Sequence, residues 1–469
     1  MNVNRANIFE MDYCLRAYIT GIFHYRDSRN SLLIFDSEVD MVNAQDPIHG
    51  FEISDITQIP DEPQWLASRR ADSHKRLEQV SFPTQTEEIW RYSRVDELLD
   101  LGLNTFRARP QVQRSHALEG VGEELKPLLE SAGMILLLEP GSLTIIGEYE
   151  LPETVKFSMA YDFPTADWRH ADPSEDFFTL FGQAFSQDSY VIDVDHNVIL
   201  DKPILVVSQA NERNRAFFPQ LVLNVGSNSK ATLIELAQGG TTSTLVASTT
   251  QIFLGDGAHV EHYQVQNLTT DSFSIANIET YLAANATLES AAFSFGCRYA
   301  RVRSENKLLG EKSKAFLKAA YFADGDQMLD FRTLQDHKSP NTFSDLLFKG
   351  AVAGHSHSVY SGLVRMEEGA YKSDALQTNR NLVLSEGARA DSVPNLDIRE
   401  NNVRCAHASA VGPIDPDLIF YLESRGIDPQ TGARMVVRGF FNEVLSSVAQ
   451  DGVSKIVGSL VDAKLEELK

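Results

Sequence analysis

Cysteine is scarce: Cys14, Cys297 and Cys405 are the only three in 469 residues, an odd set too sparse to staple a chain of this length. A reducing, cytoplasmic setting is the expectation. Basic residues are in deficit as well, 42 Lys and Arg against 65 Asp and Glu for a formal net charge of −23. Phosphate backbones and anionic lipid surfaces are therefore repelled on average, and neither nucleic acid nor membrane is an expected partner. Long apolar runs are missing. The stretch from Ala17 to Phe23 sits between Arg16 and the His24/Arg26 pair, far short of the roughly 18 residues a membrane helix needs. Arg5 is followed by Glu10 and Asp12 rather than by the apolar region of a secretory signal. Catalytic signatures are absent too: there is no G-x-x-x-x-G-K-[S/T] loop, G-x-S-x-G elbow, H-E-x-x-H helix or pair of C-x-x-C knuckles. Nucleotide hydrolysis through a phosphate loop is not expected. The chain reads as a binding component, not an enzyme.

What is present is ordinary globular usage, 43% hydrophobic and 23% charged, enough for one large core with smaller appendages. Residues 31 to 68 lack Lys and Arg, carry Asp36, Glu38, Asp40, Asp46, Glu52, Asp55, Asp61 and Glu62, and include Pro47, Pro60 and Pro63. That composition predicts a solvated linker, so residues 1–60 are set apart as an unassigned extension. From Trp65 to about Arg109 the apolar spacing turns helical. Trp65, Leu66, Leu77 and Val80 form one segment and Val95, Leu98, Leu99, Leu101 and Leu103 another, with Pro83 between them. A helical N-terminal domain over 61–130 follows.

Between about 140 and 400 the texture changes to short alternating apolar runs such as Leu143-Thr-Ile-Ile, Ile204-Leu-Val-Val and Leu221-Val-Leu-Asn-Val, divided by Gly, Asn, Asp and Ser. Within it Ala231, Ala258, Ala286 and Ala315 each open an alternating strand, 27, 28 and 29 residues apart. A period in that range marks units that bury their apolar faces only by stacking. With so little helix, the stacked unit is a coil of short strands, and a parallel β-helix over 131–412 is the expected core. A jelly roll or sandwich is the competing arrangement. The helical segments at either end would supply the caps that an open-ended solenoid needs.

Past Gly412 helix signals return. Asp415-Pro416 and Asp428-Pro429 each pair an N-cap with Pro at the first helical position, and Gly426 suits a left-handed C-terminal cap. Val436, Val437, Phe440, Phe441, Val444, Leu445 and Val448 form a broad stripe at helical spacing, and Val453, Ile456, Val457, Leu460 and Val461 another. A helical domain over 413–469 is predicted. Its adjacent Phe440 and Phe441 exceed what one core face requires and suggest a docking face for a partner.

One constellation carries candidate chemistry. In an extended strand, residues i and i+2 face the same way, so Cys405 and His407 would project side by side. Thiolate and imidazole both ligate iron, although two ligands do not complete a cluster site. A buried free cysteine is the bland alternative. His355 and His357 repeat the spacing without a thiol or carboxylate nearby in sequence, and are expected in a turn or on the surface. His259 and His262, three apart in strand register, should face opposite sides, and Cys297 reads as core.

The run Gln377-Thr-Asn379-Arg-Asn-Leu382-Val-Leu384-Ser-Glu-Gly-Ala388-Arg-Ala-Asp391-Ser-Val-Pro394-Asn-Leu396-Asp-Ile398, then Cys405-Ala-His407-Ala-Ser-Ala-Val-Gly412, then Leu418-Ile-Phe420-Tyr421-Leu422-Glu-Ser424-Arg425-Gly426-Ile427, resembles the SufB/SufD family of iron–sulfur cluster assembly proteins. Glu88-Ile-Trp90-Arg91-Tyr92 resembles the family's N-terminal signature, and the likeness spans about 65 to 469. It implies a mainly β protein with a right-handed parallel β-helix between helical terminal domains. It further implies a SufB-like paralogue joined through the β-helix and a SufC-like ABC ATPase joined through the C-terminal helices. Ala388 stands where SufB carries its cluster-building cysteine, and Cys405-Ala-His407 stands where SufB has Glu-His-Glu; both favour the SufD branch. On that branch the histidine of the Cys-x-His run lies at the interface with SufB, which assigns His407, and more weakly Cys405, as ligands of a transient iron–sulfur cluster shared with the partner. No cofactor is expected to stay tightly bound to the chain alone. Ala408 departs from the family's usual Gly. Two other readings compete: a SufB-like homodimeric scaffold, and a β-helix enzyme acting on polysaccharide.

Overall fold

The computed structural model describes residues 59, 61–105, 109–115, 125–146, 152–163, 176–187, 189–239 and 243–467. Cys14 and the acidic stretch as far as residue 58 lie outside them. Residues 61–68 of the expected linker are folded: helix α1 (Gln64–Leu77) begins inside it, Leu66 is buried, and Glu62 pairs with Arg70 at 3.0 Å. The second expected helical segment is a 3-10 run, Val95–Leu101, whose Val95 and Leu98 are fully buried.

Strands β1 (Gln111–Ser115), β2 (Met134–Glu139), β3 (Ser142–Ile146) and β4 (Val155–Met159) lead into the coils. Helix α2 (Lys126–Ser131) precedes β2, and α3 (Phe177–Phe185) precedes β5 (Tyr190–Val194). From β5 onward each coil places one strand in each of two sheets. The first coil adds β6 (Ile204–Ala210), followed by the short β7 (Ala216–Phe217). Then come β8 (Gln220–Val225) with β9 (Lys230–Gly239), β10 (Leu245–Leu254) with β11 (His259–Leu268), and β12 (Phe273–Leu282) with β13 (Thr287–Ser294). The series continues with β14 (Tyr299–Leu308) and β15 (Lys314–Ala323), β16 (Met328–His337) and β17 (Phe343–Val352), and β18 (His357–Met366) and β19 (Asp374–Val383). It closes on β20 (Arg389–Ile398) and β21 (Arg404–Gly412).

The two sheets have 11 and 10 strands and end on β21 and β20 respectively. Pairing between successive coils is parallel, so this is the expected β-solenoid and not a sandwich of hairpins. Antiparallel pairs occur only at the entry, β2 with β3 and β4 with β5, among the described strands.

The repeat seen in the sequence is real but its alanines are not all stacked. Ala231 pairs with Val260, Val260 with Leu288 and Leu288 with Ala315, so Ala258 and Ala286 sit two residues before the stacked position. An offset of two preserves the inward face, and all four alanines are buried in the same lumen core. A sharper periodic signal is the turn. Asn228, Gly257, Asn285, Lys312, Asn341 and Lys372 all adopt positive φ, each two residues before a strand of the 11-stranded sheet. Four of these six positions are Asn or Gly, the residues that tolerate this conformation best.

Inward side chains of both sheets form the lumen core, whereas many of the apolar outward ones pack beneath helical segments. Helix α3 is buried on every residue, wedged between the 10-stranded sheet and the packed Trp90, Val95 and Leu98. Its face of Thr179, Gly182 and Gln183 is buried along with the apolar one, and Asp176 caps it by accepting from the Phe178 and Thr179 amides.

At the C-terminal end α4 (Pro416–Ser424) and α5 (Pro429–Leu445) start where the caps predict, with Asp415 and Asp428 accepting from the Asp417 and Thr431 amides, and α6 (Asp451–Glu467) follows. Helices α5 and α6 do not cap the solenoid end, contrary to the expectation. They fold back along the outer face of the 11-stranded sheet. There Val437, Phe441, Val444, Val453, Val457 and Val461 pack with Tyr263, Phe293, Phe322 and Ala351. Phe441 is fully buried, and Phe440 lies against Lys349, whose Nζ is 4.5 Å from its ring centroid and donates to its carbonyl at 2.9 Å. The Phe440/Phe441 pair is thus fastened to the solenoid wall. Among the described residues of this region the broadest exposed apolar surface is on α4, which buries no residue and exposes Leu418, Phe420 and Tyr421.

Candidate functional site at the open coil

Because α5 and α6 run along the flank, the last coil keeps an open face and two unpaired sheet edges among the described residues. Cys405 and His407 lie in β21, where register sets Cys405 beside Ala375, His407 beside Gln377, Ser409 beside Asn379 and Val411 beside Asn381. The β19 partners are all buried in the lumen. Parallel pairing keeps the same pleat face, so Cys405 and His407 continue two lumen columns out to the open end. His407 is exposed there, and Cys405 is half-buried against Val403, Val364, Met366 and Ala375. On β20, Val393, Leu396 and Ile398 are exposed, as is Val411 on β21.

The two candidate ligands differ in readiness. Burial, reinforced by the nearby Asp374 carboxylate, pushes the Cys405 thiol up to about 11, so it is protonated near neutrality and is a poor nucleophile and ligand. Cys297 is core, as read: it is fully buried, and burial raises its thiol well above the ordinary range.

Beneath the open coil the lumen becomes polar. The Tyr321 hydroxyl donates to Asn381 Oδ1 at 2.8 Å, Asn379 Nδ2 donates to the Tyr321 hydroxyl at 3.2 Å, and Asn381 Nδ2 donates to Asn379 Oδ1 at 2.8 Å. Such a closed set of buried bonds fixes rotamers and stiffens the strands that present the site.

The remaining histidines sort as follows. His355 is exposed in a turn, while His357 opens β18 and its Nε2 lies 2.7 Å from Asp391 Oδ2 on the edge strand. Burial opposes it, but hydrogen bonds from Arg389 and His357 hold the Asp391 carboxyl below its usual range. His259 and His262 do face opposite sides. His262 is fully buried in the lumen, Nε2 to Glu235 at 2.8 Å and Nδ1 to Ser290 at 3.1 Å. Sequence reasoning missed that cluster, whose members stand 27 and 28 residues apart, one coil each, and only the repeat period could have aligned them. Among the described residues no three His, Cys, Asp or Glu side chains converge on one point.

The Glu88–Tyr92 signature is structural. Trp90 is buried under the Arg301 guanidinium, 3.8 Å from its ring centroid, and Arg301 bonds Asp330 at 2.6 Å and the Ile89 carbonyl at 3.0 Å. Tyr92, at φ 70°, packs its ring against His357 and under Arg389, tying the N-terminal segment to the last two coils.

The family model for the SufBD core domain of SUF-system iron–sulfur cluster assembly matches residues 206–440, which run from β6 through the open coil into α5. The chain belongs to the SufBD family. An iron–sulfur cluster assembly SufBD family protein of Mycobacterium leprae is 31% identical over 293 residues, covering 60% of this chain and 74% of the relative. Similarity to proteins named SufD is longer: 24% identity over 410 residues for that of Escherichia coli K12, covering 85% of this chain and 93% of the relative. For that of Bacillus subtilis 168 it is 25% over 431 residues, covering 86% and 95%. A SufBD chain of this length therefore has SufD-named relatives along most of its sequence. No helix among its described residues is long and apolar enough to cross a membrane.

Proposed function

We propose that the chain is a SufD-type, non-ATPase scaffold subunit working in the cytoplasm. It pairs with a SufB-like paralogue through the open coil, recruits a SufC-like ATPase through the C-terminal helices, and lends His407 to a nascent cluster. The observation that carries this reading is the open coil itself: among the described residues it has two unpaired strand edges, exposed Leu396, Ile398 and Val411 on the lumen face with the exposed His407 imidazole, and exposed Val393 on the other face. Unpaired edges with apolar side chains are a template for strand addition by another chain. A nascent cluster on that surface would take His407 from this subunit and its thiolates from the partner, because Cys405 holds its proton. Ligands divided between two chains leave neither one a complete site, which suits a cargo that must be passed on. The domain limits 61–130, 131–412 and 413–469 are retained in this proposal, with α4 replacing Phe440 and Phe441 as the ATPase contact.

The test is co-expression with SufB-like and SufC-like partners, comparing wild type with H407A and C405A. Since His407 is exposed, its truncation should leave the complex and its ATPase activity intact while cluster absorbance per complex falls sharply. C405A should do less. A normal cluster yield with H407A refutes the site; loss of the whole complex refutes its assignment as a ligand and makes it an assembly contact.

A further inference from the structure

Directly below His407 in the same lumen column lies Gln377. It is 1% exposed, and neither Oε1 nor Nε2 has a hydrogen-bond partner among the described residues. Neighbouring polar side chains on the same strand are satisfied, Asn379 and Asn381 through Tyr321; the Gln335 amide deeper in the other sheet is also unpaired, but Gln377 is the one that adjoins the open coil. Space has been left for it. A Cβ on Gly362, which faces the lumen from β18, would come within 2.3 Å of Gln377 Nε2 and 2.5 Å of the Tyr360 hydroxyl. Only glycine at 362 lets an amide occupy that level. A buried polar side chain with both ends unpaired is costly and marks a place where a partner arrives later. His407 is the adjacent group in the column, with a ring donor and a ring acceptor.

We propose that Gln377 is a positioning residue for His407. When a partner covers the open coil and excludes water, the Gln377 carbonyl accepts the imidazole N–H, fixing the tautomer and turning the other ring nitrogen outward. This rests on the reading of His407 as a ligand. It follows the general rule that a metal-binding imidazole is oriented by an acceptor on its second nitrogen.

The experiment uses the co-expressed three-protein complex carrying Q377M, Q377L or Q377E, beside H407A, with cluster absorbance normalised to complex recovered. Met and Leu fill the same space without an acceptor, so a packing role would be met by them and damaged by the charge of Glu. The proposal expects the reverse: cluster content about 10-fold or more below wild type for Q377M and Q377L, the loss typical of an orienting partner, and substantial rescue by Q377E. Their melting temperatures should order the other way, Q377M at or above wild type and Q377E below it. Wild-type cluster content in Q377M overturns the inference. If H407A loses the cluster and Q377M does not, only this inference fails; if H407A keeps it, the ligand reading fails first.

Discussion

Replacing Phe420 with Asp separates a docking surface from a core position. Phe420 on α4 is 71% exposed, whereas Phe441 on α5 is fully buried against Phe322. Fully burying a Phe side chain contributes about 1.5–3 kcal/mol. With most of that surface still open, covering Phe420 by a partner would contribute roughly 1–2 kcal/mol, on the order of a 10-fold change in Kd. Asp also places a charge in a dry contact, which costs several kcal/mol more unless it finds a partner. Stability of the isolated chain should change within about 0.5 kcal/mol, as for other exposed positions, whereas F441A should lose about 3–5 kcal/mol. The assay is pull-down of the ATPase with simultaneous recovery of the SufB-like subunit, alongside thermal unfolding of the isolated chain. Phe420→Asp should lose the ATPase, keep the paralogue and keep its Tm. Undiminished ATPase recovery refutes α4 as the contact; a fall in Tm matching that of F441A refutes the claim that this helix face is uncovered.

Two further outcomes follow from charges at the wall and the open coil. Lys349 bonds the Glu443 carboxylate and holds its pKa below the ordinary value, a depressed carboxyl whose contribution is complete above about pH 4.3 and lost as pH falls through the lowered value. Acid unfolding followed through α5, for instance with a probe at that helix, should lose this dependence in K349M, and an unchanged acid limb would refute the tie. Alkylation of Cys405 with iodoacetamide, read by peptide mass, should be slow at pH 7 and accelerate as pH approaches about 11; rapid labelling at neutrality would show a thiolate that the burial argument denies.

Much of the fold was legible because a solenoid writes its geometry into a period. Alternating runs and the spacing of Ala231, Ala258, Ala286 and Ala315 were sufficient to choose stacked coils, and a two-residue misalignment did no harm because inward parity survived it. The caps at Asp415 and Asp428 were legible for a local reason: each is a side chain bonding an amide two or three residues on. Helix α3 was not: it spans only nine residues, and its face of Thr179, Gly182 and Gln183 is buried with the apolar one, so no exposed polar side sets it apart from the surrounding strands. The flank position of α5 and α6 was not legible either. An apolar stripe reports that something covers it, and the solenoid wall covers Phe440 and Phe441 as well as a partner would.

The site divides along the same line. Side-by-side projection of Cys405 and His407 needs only strand parity, which is local. Their unequal chemistry needs Asp374 and the small apolar cluster around Cys405, assembled from other coils and invisible along the chain. Gln377 opens the stretch that carries the family resemblance, yet nothing in one sequence marks it as lying under His407 with an unpaired amide. That placement depends on an interval of 30 residues fixed by every turn of the intervening coil.

Leaving the last coil open carries a hazard that its sequence also answers. Two exposed strand edges would pair indiscriminately with any extended chain. Strand β20 carries Pro394, which removes one ladder donor, and charged Arg389, Asp391 and Asp397, of which Asp397 is tied to Arg365 and Arg399. Edges guarded this way reject generic strands but accept a surface that complements the charges and covers Val393, Leu396 and Ile398. The same openness keeps His407 exposed until that surface arrives. A lumen closed by its own helices would have been safer from aggregation, and it would have buried the imidazole beyond the reach of any second chain.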